Sequence, residues 1–108
     1  MPISQGGAGG LPGMNLKAWA LVRPDGTLIK SMNVTSINKG AAGSYALNFT
    51  AAMASTNYVT KWIAMGSINT GIAATSCNAH TRNTASCLIE VAQGGIGNDL
   101  GGLFEIYE

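Results

Sequence analysis

Large apolar and small or polar residues alternate along several separate stretches of this chain. In Tyr45-Ala-Leu-Asn-Phe-Thr50, the bulky Tyr45, Leu47 and Phe49 alternate with Ala46, Asn48 and Thr50. A period of two puts the three large side chains on one face of a strand and the small ones on the other. Ser86–Gln93 repeats the pattern, with Cys87, Ile89 and Val91 opposite Leu88 and Glu90. Leu16–Val22 reads as a strand with Trp19 and Leu21 on one side. Thr27–Ile37 reads as its return, with Ile29 and Val34 inside and a bulge near Ser31. Further strands are expected around Asn57–Gly66 and Leu103–Glu108, whereas Ser67–Ala85 reads as a long polar loop or a short edge strand. Between the first two strands lies a turn, Arg23-Pro-Asp-Gly-Thr27. Pro24 presets φ there, and Gly26 takes a left-handed conformation.

Six or seven short strands with Gly-rich turns, spaced about ten residues apart, are the signature of a β-sandwich or small barrel. The expected fold is therefore all-β: a small antiparallel β-sandwich over residues 16–108, with Trp19, Leu47, Phe49, Ile89 and Phe104 in its core. Residues 1–15 form an extended Gly-rich N-terminal arm, with glycines at 6, 7, 9, 10 and 13. Such a segment cannot build a core of its own and needs a partner to become ordered.

Composition narrows the functional classes. Charged residues are 10% of the chain, far below the roughly 25% of an average globular protein. The formal net charge is +1 and the six basic residues are scattered, so no basic face for nucleic acid is expected. No apolar run is long enough to insert in a membrane. Met1–Gly13 lacks the basic and apolar regions of a signal peptide, which implies synthesis in a cytoplasm.

Candidate chemistry is sparse. Cys77, His80 and Cys87 have no fourth ligand at a zinc spacing, and a Cys77–Cys87 disulfide would need an oxidising compartment. Two free cysteines are expected, with Cys87 buried as a small hydrophobe. Gly94-Gly-Ile-Gly-Asn-Asp99 matches the start of a calcium-binding nonapeptide, but a single copy cannot form the stacked site. His80 could act as a base, yet Asp25, Glu90, Asp99, Glu105 and Glu108 offer no spaced acid pair to work with it. No catalytic residue, metal or cofactor is assigned, and the chain is not expected to be an enzyme.

The block Gly43-Ser-Tyr-Ala-Leu-Asn-Phe-Thr-Ala-Ala-Met-Ala-Ser-Thr-Asn-Tyr58 resembles one found in tail-fibre and receptor-binding modules of tailed bacteriophages. Lys17-Ala-Trp19, Ser31-Met-Asn-Val-Thr-Ser-Ile37, a strand like Thr84–Val91 and an acidic residue at Asp99 occur in the order such modules have. Gln5-Gly-Gly-Ala8 is similar to a short element that precedes terminal modules, with Ala8 in place of Thr. The turn at Arg23-Pro-Asp-Gly26 and residues 67–83 depart from the pattern. The resemblance implies a β-structured homotrimer on a virion surface, made in the cytoplasm of a host bacterium.

Two functions follow from that resemblance. In the first, the chain is a fibre-tip or receptor-binding module anchored by its arm through Ile3, Gln5, Gly6, Gly7, Leu11 and Met14. It would meet a bacterial saccharide or protein through Asn69, Asn78, His80, Arg82 and Asn83. In the second, it is a structural subunit, such as a capsid decoration, head-fibre or tail adaptor, and binds only other phage proteins.

Overall fold

The computed structural model describes residues 13–64, 75–93, 96–97 and 99–108. Among them are nine strands and no helix: β1 (Leu16–Val22), β2 (Leu28–Met32), β3 (Val34–Lys39), β4 (Ser44–Phe49), β5 (Val59–Ala64), β6 (Thr75–Arg82), β7 (Ser86–Gln93), β8 (Ile96–Gly97) and β9 (Gly102–Tyr107). Two antiparallel sheets stack as the expected sandwich. Sheet A runs β2-β1-β9-β5. Sheet B runs β3-β4-β7-β6, with the two-residue β8 beside β7.

The core lies between the sheets. Sheet A contributes Ala18, Ala20, Val22, Phe104 and Ile106; sheet B contributes Val34, Tyr45, Leu47, Phe49, Cys87, Ile89 and Val91. Met53, Tyr58 and Leu100 close the ends. Tyr45 meets Phe104 across the layers with ring centroids 5.5 Å apart, and Phe49 meets Tyr58 edge-on at 5.9 Å. The alternations in β4 and β7 thus point where the pattern places them.

Trp19 does not join this core. The buried positions of β1 are Ala18, Ala20 and Val22, so Trp19 and Leu21 occupy the opposite face. Aromatic side chains on β4 and β9 supply the volume between the layers, and small residues on β1 complement them.

The stretch expected to be one return strand is two strands in different sheets. β2 pairs with β1, and β3 pairs with β4. The switch is Asn33, at φ 58°, a conformation Asn tolerates better than most residues. Its side chain holds both sheets: Oδ1 accepts from the Ala51 amide at 2.6 Å, and Nδ2 donates to the Ala51 and Lys17 carbonyls at 3.0 and 3.3 Å. Val34 is buried as expected, but Ile29 is exposed. The register shift between Leu21 and Val22 pairs Leu28 with Val22 and Lys30 with Leu21, leaving Ile29 as the extra residue. The Arg23–Thr27 turn forms as read. Gly26 has φ 93° and donates to the Arg23 carbonyl at 2.9 Å, while Asp25 Oδ1 accepts from the Thr27 amide at 2.9 Å.

A second fastening joins the sheets at the far end. The Tyr45 hydroxyl donates to the Pro24 carbonyl at 2.7 Å and accepts from the buried Gly101 amide at 3.0 Å. Trp62 Nε1 donates to the Gly101 carbonyl at 2.9 Å. The chain there is too close-packed for a side chain: a Cβ on Gly102, at φ 137°, would lie 2.2 Å from the Ile63 carbonyl oxygen.

Candidate interaction face

The two outer faces of the sandwich differ in character. Along β3 and β4 of sheet B, short polar side chains bond to one another. Thr35 Oγ1 and Thr50 Oγ1 are 2.7 Å apart, and Asn48 Nδ2 donates to Ser36 Oγ at 3.1 Å. Sheet A carries large apolar side chains outward, because β1, β9 and β5 are apolar at positions of both parities. The register sets them in rows. One row reads Lys30, Leu21, Leu103, Ile63 across β2, β1, β9 and β5; the next reads Met32, Trp19, Glu105, Lys61. Met32, Val59 and Ile63 are 39%, 40% and 57% exposed, and Trp19, Leu21 and Leu103 are partly exposed beside them. A cluster of this kind on one face marks a contact surface more often than scattered exposed leucines do.

The expected contact residues are distributed differently. Ile3, Gln5, Gly6, Gly7, Leu11 and Asn69 lie outside the described residues. Met14 is half-buried next to Asn15, which exchanges two backbone hydrogen bonds with Glu108 at 2.9 and 3.1 Å. Of the two readings of residues 67–85, the described part is a strand. β6 spans eight residues at the edge of sheet B, with Asn78 opposite Glu90 in the ladder. His80 sits at the register shift between Ala79 and Thr81, exposed, with Nδ1 3.0 Å from Thr81 Oγ1. Arg82 Nε donates to the Tyr58 carbonyl at 2.9 Å, and the Asn83 carbonyl accepts from the Tyr58 hydroxyl at 2.8 Å. The last two therefore fasten the β6–β7 turn to the loop before β5.

The ladder also separates the two cysteines. Cys77 pairs with Val91, four residues along β7 from Cys87. That offset is ~13 Å, well beyond the span of a disulfide. Burial pushes the Cys87 thiol up from its ordinary pKa. Among the described residues no three His, Cys, Asp or Glu side chains converge as metal ligands. Asp99 belongs to a turn fastening. Its Oδ1 accepts from the Gly43 amide at 2.7 Å and lies 2.7 Å from Lys39 Nζ. The Gly43 amide first, then Lys39, holds this carboxyl below the usual carboxylate range. Lys39 also donates to the Gly40 and Ala41 carbonyls and lies 5.2 Å from the Tyr45 ring centroid. Among the described residues no helix is long and apolar enough to cross a membrane.

No protein-family model, curated protein or solved structure matches the chain. Met32, Val59, Lys61, Ile63 and Glu105 were not singled out as site residues. The signal that points to them is that β1 alternates apolar residues on both parities, Ala18-Ala20-Val22 on one and Trp19-Leu21 on the other.

Proposed function

We propose that this chain is a small non-catalytic surface module of a bacteriophage particle, attached by its arm and docking through the outer face of sheet A. The observation that carries the docking half is the exposed apolar rows of sheet A, in contrast to the short, mutually bonded polar side chains along β3 and β4. A solvated sandwich has no need of Trp19, Met32, Val59 and Ile63 on one side. An assembly subunit covers them with a neighbour. The phage half is supported by the ordered motifs from Lys17 to Asp99.

Within that reading, the structural subunit is favoured over the host-contacting one. The exposed apolar rows suit burial against another protein surface, whereas Arg82 Nε and the Asn83 backbone carbonyl serve Tyr58 while both residues remain exposed. Gold-labelled antibody against the module should decorate purified particles, and deletion of residues 2–13 should abolish that decoration while leaving the body folded. Label confined to unassembled protein in the lysate overturns the virion assignment. Normal incorporation of the truncated chain overturns the anchoring role of the arm.

A further inference from the structure

We propose that the N-terminal arm, residues 1–12, folds back over the outer face of sheet A of its own body, with Leu11 seated over the row that holds Tyr107 and Ile3 farther along the apolar rows. This cover belongs to the unassembled chain and does not depend on the virion reading.

Two independent observations point there. The first is Tyr107. It shares the outward parity of β9 with Leu103 and Glu105, since Phe104 and Ile106 face the core. Its hydroxyl donates to Glu105 Oε1, on that same face, at 3.3 Å. Tyr107 stands outside the cluster between the layers, yet it is 1% exposed. Its row neighbours are Leu16 on β1 and Val59 on β5. Both are themselves partly open to water, and so is Trp19 one row away. A tyrosine on the outside of a sheet keeps part of its ring in water unless something lies over it.

The second observation is the root of the arm. Leu11-Pro-Gly-Met14 has the sequence of a type II turn, in which Pro presets the second position and the third needs a positive φ. Gly13 has φ 75°. Such a turn sends the residues before it back along β1. The edges of β1 are taken: β9 holds one, and Asn33 Nδ2 reaches the Lys17 carbonyl on the other at 3.3 Å. The inner side is closed by Ala54 and Ser55, whose amides donate to the Glu108 carboxylate at 3.3 and 3.0 Å. Among the described residues, the outer face is the side left open.

Reach and charge agree with this path. Leu11 is two residues from Gly13 and stays within ~7 Å of it, beside the Leu16–Tyr107–Val59 row. Ile3 is ten residues out, ~33 Å at full stretch, whereas the rows from Tyr107 to Leu103 span only ~14 Å. Residues 1–12 carry no charged side chain, so the cover sets no like charge against Lys17, Lys30 or Lys61. Glycines at 6, 7, 9 and 10 let the backbone lie close on the sheet. They also make a fixed path costly, so the seat is firmest at Leu11 and loosens outward. One consequence rests on the docking reading above: taking up the arm on a particle uncovers the apolar rows only at the place of assembly.

Nitration of tyrosine by tetranitromethane, mapped by peptide mass, tests the cover, with buried Tyr45 and Tyr58 as internal references. In the full chain all three tyrosines should resist. A cover closed about ten times more often than open protects about tenfold, so removing residues 2–12 should raise nitration of Tyr107 by that factor and leave Tyr45 and Tyr58 protected. Leu11→Asp should do the same at full length. Gly13→Ala should raise it several-fold, because a Cβ there meets nothing within 4 Å and only the left-handed turn is disfavoured. Gly13→Asn, which tolerates that conformation, should keep most of the protection. Tyr107 equally protected in every variant overturns the proposal, as does Tyr107 reactive in the full chain. If truncation opens all three tyrosines, the body has unfolded and the full-length Leu11 and Gly13 variants decide. A truncated chain that fails to join particles while Tyr107 stays protected removes the cover and leaves the anchoring reading standing; Tyr107 exposed with normal incorporation does the reverse.

Discussion

Replacing Tyr45 with Phe should be markedly more damaging than replacing Tyr58 with Phe, although both remove one buried hydroxyl. The Tyr45 hydroxyl serves a donor and an acceptor: it accepts from the buried Gly101 amide and donates to the Pro24 carbonyl. Without it the Gly101 N–H is an orphan in the interior, at a cost of ~1–3 kcal/mol. The lost bond to Pro24 adds ~0.5–1.5 kcal/mol. The ring contact with Phe104 survives, so no cavity term enters. The expected total is about 2–3 kcal/mol. The Tyr58 hydroxyl serves the carbonyls of Asn83 and Ser86 at 2.8 and 3.0 Å and the buried Cys87 thiol, a weak hydrogen-bonding group, and no backbone amide. The Ser86 carbonyl keeps a second partner in the Asn83 amide at 2.9 Å. Under-satisfied carbonyls are tolerated far better than an orphan amide, so Tyr58→Phe should cost about 1 kcal/mol. In equilibrium urea unfolding with m near ~1–1.5 kcal/mol/M, the midpoint should fall by about 2 M for the first and by under ~1 M for the second. Equal shifts, or the reverse order at unchanged m, would refute the donor-orphan argument.

Gly102→Ala should destabilise by roughly 3 kcal/mol or more, since its Cβ meets the Ile63 carbonyl oxygen at 2.2 Å; loss of under ~1 kcal/mol in the same urea assay would mean that β5 moves away at little cost. The Asp99 carboxyl is depressed in the folded state, so its contribution is present above the unfolded pKa of ~3.9 and is lost as pH falls through the lower folded value. Asp99→Asn should therefore lower neutral-pH stability, by under ~1 kcal/mol for so exposed a pair, and flatten this part of the acid limb below about pH 4; an unchanged acid limb would remove the Gly43 and Lys39 contacts from the explanation.

The sandwich itself was legible because β4 and β7 are inward on one parity and small or polar on the other. Trp19 was misplaced for the opposite reason. β1 is apolar on both parities, and size suggested that the indole goes inside, whereas the space between the layers is filled by Tyr45, Phe104 and Leu47 and suits alanine. The division of Thr27–Ile37 into β2 and β3 was invisible to periodicity, because one left-handed Asn33 switches sheets without any Gly or Pro to announce it. β6 is mostly polar and, among the described residues, pairs on one side, so it lacks the buried alternation that marks a central strand. The interaction face was hidden by the same ambiguity in β1: Trp19, which lies on that face, reads as core by its size.

The position of β9 also governs how the chain acquires its structure. It is an inner strand of sheet A, hydrogen-bonded to β1 on one side and β5 on the other. Joining it to β1 closes a loop of about eighty residues, between Val22 and Gly102, some 2 kcal/mol less favourable in entropy than closing a tight hairpin. The local pairs β1–β2, β3–β4 and β6–β7 can therefore form early, while sheet A acquires its centre late. Until then β1 and β5 present unpaired edges flanked by apolar faces, the kind of surface on which chains add to one another. The vulnerable interval of this protein is the wait for its final strand, and conditions that delay β9 docking should divert chains into aggregates before they affect the stability of the finished sandwich.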